Sequence, residues 1–270
     1  MIGGVPVGTP CRERVSPQKC AQMAAIMNWP APLEGETLPP LWHWLFCAPA
    51  VSHRDLGHDG HELASRLDAR LDGLHRMWAA GEVTFLAPIP IGAELVRQTQ
   101  LDGIVQKKGR SGALVFATLR HAWRCDGRDA IDEVQTLVYR ASPGGADARV
   151  ADPGEDDARM PSQLDDLQLF RYSALTFNSH RIHLDRSYCA ENHGSPRLVA
   201  HAPLQATILA RAATAQAGPL ASFSFRALSP LREGDGFAAV LDGAAGVAQI
   251  RNSRDALCME ARFRSDMGLS

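Results

Sequence analysis

The sequence predicts an α+β fold built from two repeats, each a long central helix wrapped by an antiparallel sheet. Three observations predict it. A turn-rich segment divides the chain near its middle, a similar block of strand-like pieces recurs on either side, and a proline-opened helix candidate precedes each block.

The divider is Ser142 to Gln163, SPGGADARVADPGEDDARMPSQ, whose Gly, Pro and Asp content and few large apolar side chains mark an exposed linker. It separates an N-terminal unit, 1–141, from a C-terminal unit, 164–270. Residues 82–95 read EVTFLAPIPIGAEL and residues 222–237 read SFSFRALSPLREGDGF. Each has an aromatic strand start, a proline-interrupted apolar piece and a Gly turn into another strand. Further strand-like pieces follow both copies, cut by Asp-Gly and similar turns, and Leu114 to Trp123 is rich in β-forming residues. The copies are expected to meet sheet edge to sheet edge. The helix candidates are Pro40 to Phe46, PLWHWLF, and Pro203 to Ala215, PLQATILARAATA. A further helix, Ser16 to Asn28, has Pro17 near its start and Ser16 as a cap.

The composition narrows the function. With 28 basic and 30 acidic residues and a net charge of −2, the 270-residue chain has no positive field to draw in a nucleic acid. Its six cysteines, at 11, 20, 47, 125, 189 and 258, form no C-x-x-C pair and read as reduced thiols. The N-terminus lacks a secretory pattern and no apolar run is long enough to cross a membrane. A cytoplasmic enzyme that needs no membrane is expected, with its oligomeric state open and a homo-oligomer allowed.

The most informative stretch is Arg171 to Gln205, RYSALTFNSHRIHLDRSYCAENHGSPRLVAHAPLQ. It sets Asn178, His180, His183 and Asp185 ahead of a helix start at His201-Ala202-Pro203. An imidazole that handles a proton, followed by a helix N-terminus offering N–H groups to an oxyanion, suits chemistry on a thioester carbonyl. Asp185 reads as structural, bonding the backbone after the turn.

The motifs LPPLWHWLF at 38–46, HRMWAAGEVTF at 75–85, KKGRSGALVF at 107–116, RYSALTFNSHRIHLD at 171–185 and VAHAPLQATIL at 199–209 carry a resemblance. The second half resembles the MaoC-like, R-specific enoyl-CoA hydratase branch of the hotdog superfamily. The whole chain resembles its double-hotdog members that act on itaconyl-CoA or mesaconyl-C4-CoA. The resemblance implies reversible hydration of a short branched dicarboxylic enoyl-CoA to citramalyl-CoA, with coenzyme A as part of the substrate and no other cofactor. It places the catalytic His on His183 and puts Asn178 where single-domain relatives carry an acidic Asp. Because an amide exchanges no proton, His183 is left as the main acid/base, with His180 as helper.

Ala202, where relatives carry Gly, is the expected oxyanion donor. Tyr172, Arg181 and Arg76 join it as substrate-binding candidates, the two arginines for the acyl carboxylate. Lys107, Lys108 and Arg110 form the densest basic cluster and are the candidates for the CoA phosphates. The run HRDLGHDGHE at 53–62 spaces His58 and His61 three apart, but no distant ligand completes a metal site, so it reads as a polar loop over the active site or the CoA channel. Residues 15–28, VSPQKCAQMAAIMN, match 171–185 but contain no histidine, so one active site per chain is expected, with the first half as a pocket wall. The rivals are a 3-hydroxyacyl-thioester dehydratase of fatty-acid synthesis, which would need a long apolar tunnel without a buried Arg, and a hotdog that binds acyl thioesters without turnover. A thioesterase fits the motif least.

Overall fold

The computed structural model describes residues 4–63, 67–71, 73–109, 112–141 and 162–265. Among the described residues, ten strands form one sheet. In chain order they are β1 (Val5–Pro6), β2 (Cys11–Arg14), β3 (His75–Phe85), β4 (Glu94–Gly109), β5 (Gly112–Cys125) and β6 (Arg128–Arg140), followed by β7 (Leu220–Ala227), β8 (Phe237–Asp242), β9 (Val247–Asn252) and β10 (Leu257–Ser265). The helices are α1 (Pro17–Met27), α2 (Asp166–Leu175), α3 (Arg186–His193) and α4 (Ala202–Ala217). The sheet order is β1-β4-β5-β6-β3-β7-β10-β9-β8, with β2 also on β4, and every pairing is antiparallel.

The halves join edge to edge, as expected. β3 pairs with β7 in a register that sets Gly81 opposite Phe225. A Cβ on Gly81 would lie 2.5 Å from the Phe225 ring, so the absence of a side chain there is what lets the ring settle on the seam. Trp44 and Trp78, with ring centroids 5.0 Å apart, each stand 5.9 Å from the Phe225 ring and give the seam an aromatic centre.

The second repeat has the expected central helix. Pro203 sits in the first turn of α4, where its missing N–H has no intrahelical role, and Ala and Leu carry the helix on to Gly218. Its buried residues, Leu204, Ala206, Leu209, Ala210 and Ala213 among them, pack on β7 to β10. In the first repeat the counterpart is shorter than expected. Residues 40–46 form only the 3-10 turn Trp42–Leu45. Leu41 at φ 68° and Cys47 at φ 57° take the backbone out of right-handed helix at both ends, and bulky Trp and His side chains between them favour it weakly. α1 begins as foreseen, Ser16 Oγ accepting the Lys19 N–H at 3.4 Å. α2 starts through a capping box between Asp165 and Gln168. It packs against α1, with the Gln168 amide donating to the Ile26 carbonyl.

Of the linker, 142–161 lies outside the described residues. All six cysteines stand as free thiols. Among the described residues no helix is long and apolar enough to cross a membrane.

Candidate active site

The fold encloses a cavity of about 1560 Å³ lined by both halves. One wall of it is the chain between α2 and α4. The Asn178 side-chain oxygen Oδ1 accepts the His180 backbone N–H at 3.0 Å, and the Asn178 backbone N–H donates to the Ser173 carbonyl at 2.8 Å, so the residue closes the turn that leaves α2. The 3-10 turn Arg181–His183 follows. Asp185 caps α3 by accepting the Tyr188 N–H at 2.9 Å, the structural role read from the sequence.

His183 lines the cavity with only 7% of its surface exposed. Its Nδ1 lies 2.6 Å from the Val199 carbonyl, an acceptor only. Nδ1 therefore carries the proton and Nε2 keeps a lone pair. Burial is the main cause that brings the His183 pKa down to about 3, against the raising effect of the Val199 bond, so the ring is neutral at ordinary pH. His201 stacks on it at 3.6 Å and is anchored by Ser173, whose Oγ is 2.8 Å from His201 Nε2. Tyr172 meets His201 edge-on at 4.8 Å and lines the cavity. Its phenol is held well above its ordinary range by burial.

Ala202 is the first residue of α4 and lines the cavity. It has no positive φ, so Ala fits where the resemblance gives relatives a Gly. A helix start leaves its first N–H groups without intrahelical acceptors, and the helix dipole adds to their pull on negative charge.

The loop at 53–63 folds onto this wall. The Arg181 N–H donates to the Asp59 carbonyl at 2.8 Å, and the Ser179 hydroxyl donates to the Gly60 carbonyl at 2.6 Å. Gly60 has φ +83°, and a Cβ there would fall 2.0 Å from the Ser179 carbonyl oxygen, so the close approach of the two loops requires glycine. Docking brings His61 into the cavity lining beside His180, ring centroids 3.8 Å apart. His180 is in turn 5.3 Å from His183. Asp59 Oδ2 lies 3.1 Å from His61 Nδ1.

The sequence offered no distant partner for His61, and the structure corrects this. Donor atoms of Asp59, His61 and His180 lie within 4.8 Å of one another, close enough to hold a metal ion. Burial, with the charge of Arg76, lowers His61 to about 4, while burial and the neighbouring His61 and His183 take His180 well below its ordinary value. Burial alone would raise Asp59, but its bonds to His61 prevail and bring it to about 2.

The cationic candidates separate. Arg76, on β3, is half-buried and lines the cavity. Arg181 does not: it pairs with Asp185 at 2.6 Å and lies over the Tyr188 ring at 4.7 Å, so its expected role toward the acyl carboxylate is withdrawn. Lys107 and Lys108 are exposed on β4 and do not line the cavity, and Arg110 lies outside the described residues. Arg97 and Arg140, which the sequence reading passed over, do line it.

A second polar group lies in the first half's wall. Buried Glu133 accepts the indole N–H groups of Trp44 and Trp123 at 2.8 and 2.9 Å, with His43 Nε2 at 3.4 Å. Burial alone would raise it, but the bond to His43, the charges of His121 and His43 and the Trp123 N–H bring it down to about 2. Glu133→Ala strands these donors in the interior and should cost about 3–5 kcal/mol, with Glu133→Gln costing less because one amide oxygen still accepts. Urea denaturation measures this, and a wild-type midpoint for Glu133→Ala would contradict it.

Residues 41–233 match the family model Htd2, hydroxyacyl-thioester dehydratase type 2. The chain is 38% identical to the mesaconyl-C(4)-CoA hydratase of Chloroflexus aurantiacus over 205 residues, 74% of this chain and 73% of that protein. Among solved structures, HtdX of Mycobacterium tuberculosis superposes with a TM-score of 0.66 at 18% identity, covering 95% of this chain and all of that one. A second M. tuberculosis protein, described as having a double hotdog fold, superposes with a TM-score of 0.60 at 13% identity, over 97% of this chain and 96% of that one. The fold is thus a double hotdog, and the chain belongs to the type 2 hydroxyacyl-thioester dehydratase family.

Proposed function

We infer that the chain is an enoyl-CoA hydratase, a lyase that reversibly adds water across the double bond conjugated to a thioester, with mesaconyl-C4-CoA as substrate and citramalyl-CoA as product. The observation that carries this is His183: a neutral, immobilised imidazole whose Nδ1 proton is tied to Val199, leaving Nε2 as a base on the cavity that also meets the start of α4. Nε2 takes a proton from water as the oxygen bonds the β-carbon, and the electron pair of the double bond moves toward the thioester oxygen. The Ala202 N–H and the α4 dipole stabilise that oxygen. Asn178, with its carbonyl oxygen engaged by His180, directs its NH₂ group to substrate or water.

Arg76 is the carboxylate partner in this reading. The fatty-acid dehydratase alternative calls for an apolar tunnel, and a lining with Arg76, Arg97 and Arg140 argues against it. Itaconyl-CoA is a further substrate if an α-proton shift first brings its double bond into conjugation. Arg76→Ala should raise KM for mesaconyl-C4-CoA by about ten- to a hundredfold, the worth of a charge-assisted hydrogen bond. It should leave KM for crotonyl-CoA unchanged. Steady-state kinetics with mesaconyl-C4-CoA, itaconyl-CoA and crotonyl-CoA check this, and a preference for crotonyl-CoA would sink the dicarboxylate assignment.

A further inference from the structure

Hydration needs two proton events, one at water and one at the α-carbon, yet Asn178 stands where a second acid/base would be expected. The structure supplies a carboxylate-imidazole pair from the other half of the chain. Asp59 Oδ2 is 3.1 Å from His61 Nδ1, His61 is half-buried in the cavity wall, and His180 lies between it and His183 with ring centroid separations of 3.8 and 5.3 Å. The approach is built in: two hydrogen bonds and a glycine contact dock residues 59–60 onto residues 179–181.

We propose that His61, oriented by Asp59, is the second catalytic residue of the hydration reaction, delivering the proton to the α-carbon and removing it in reverse. The proposal rests on the hydratase reading. In the hydration direction an O–H bond of water breaks and its proton goes to His183 Nε2, while the oxygen bonds the β-carbon and the double-bond electron pair forms the enolate. The proton passes from His183 through His180 to His61. The Asp59 carboxylate offsets the imidazolium charge there, its hydrogen bond to Nδ1 fixing the tautomer that leaves Nε2 to accept. Nε2–H then protonates the α-carbon as the enolate electron pair returns to form the C–H bond. All imidazoles end neutral, and the net change is one water added. His61 is thus catalytic and Asp59 a positioning residue.

The same side chains have the spacing for a metal ion, and metal content is therefore read in the test below. His61 turns Nδ1 to Asp59 at 3.1 Å, which commits that nitrogen to the carboxylate, and the His180 ring is tilted by 37° against the His61 ring.

The test uses the full-length protein, with mesaconyl-C4-CoA for hydration and citramalyl-CoA in D₂O for exchange of its α-hydrogens. Wild type should catalyse both. His61→Gln should lower kcat by about 10²–10⁴-fold with KM little changed, and slow α-hydrogen exchange in parallel. Asp59→Asn should lower kcat less, with Asp59→Glu recovering part of the loss, and added imidazole should restore part of the activity of His61→Ala. Thermal melts identify any variant that fails to fold, and Asp59→Asn, which keeps the size of the side chain, then decides the matter. Wild-type kcat and exchange in both His61→Gln and Asp59→Asn would overturn the proposal. So would stoichiometric zinc or another divalent metal in the purified protein that is lost with His61. A wild type inert toward every enoyl-CoA would instead overturn the hydratase reading, a failure visible before any variant is made.

Discussion

Replacing His183 with Gln should lower kcat for hydration by about 10²–10⁴-fold, the usual contribution of a positioned acid/base. Glutamine can still bond the Val199 carbonyl through its amide, so the loop should survive and the loss should fall on chemistry. In the proposed reaction Arg76 and the cavity walls hold the substrate, so KM should change little, the signature of an interaction made in the transition state. Stopped assays with mesaconyl-C4-CoA, alongside thermal melts, separate chemistry from folding. A variant that binds the acyl thioester and retains full turnover would remove His183 from the mechanism. A wild type that binds without turnover would instead favour the non-catalytic hotdog.

The same histidines should make the protein sensitive to acid. His61, His180, His183 and His201 are all held below the ordinary histidine value of 6.5, His61 at about 4 and His183 at about 3, with burial the leading cause in each. In the fold they stay neutral, whereas in the unfolded chain each takes up a proton near pH 6.5. The unfolded state therefore binds more protons below that pH, and stability falls as pH drops from 6.5 toward 4 and 3. Each group contributes on the order of 1 kcal/mol per pH unit in that window. Four together rival the ~5–15 kcal/mol that holds a typical domain folded. Asp59 and Glu133, both at about 2, extend the loss at the acid end, since their ionised forms belong to the fold. The melting temperature should be level above pH 7 and drop steeply between pH 6.5 and 5. A flat profile down to pH 4.5 would mean that these imidazoles are solvated.

Local pattern made much of the fold legible. Pro203 followed by Ala and Leu announced α4, Ser16-Pro17 announced α1, and the alternating β-formers of 114–123 announced β5. The first repeat's central helix misled because Pro40 looks like a helix opener, while the left-handed turn at Leu41 depends on packing that the sequence does not display. The loop at 176–185 was legible as a unit, with His183 in the cavity and Asp185 as a cap. The fate of Arg181 was legible but missed: Asp185 lies four residues on, within reach of a local ion pair.

Contacts across long separations were not legible. Ser179 bonds Gly60 across 119 residues, so the asymmetric Asp59-Gly60-His61 run read only as a loop without partners. Its one available signal was Gly60 between an acid and a base, a residue pair held by a backbone that only glycine adopts easily. Glu133 was equally hidden. In the strand pattern it is one more polar residue, and only the assembled sheet and the 3-10 turn of the first repeat bring Trp44, Trp123 and His43 around it.

Whether water is added to a conjugated dicarboxylic thioester is measured directly by the loss of enoyl-thioester ultraviolet absorbance on mixing pure protein with mesaconyl-C4-CoA. A decay that reaches equilibrium with citramalyl-CoA in wild type, and that is nearly absent in His183→Gln, is the expected result. An unchanged absorbance with wild type, or the same decay in both proteins, would contradict it.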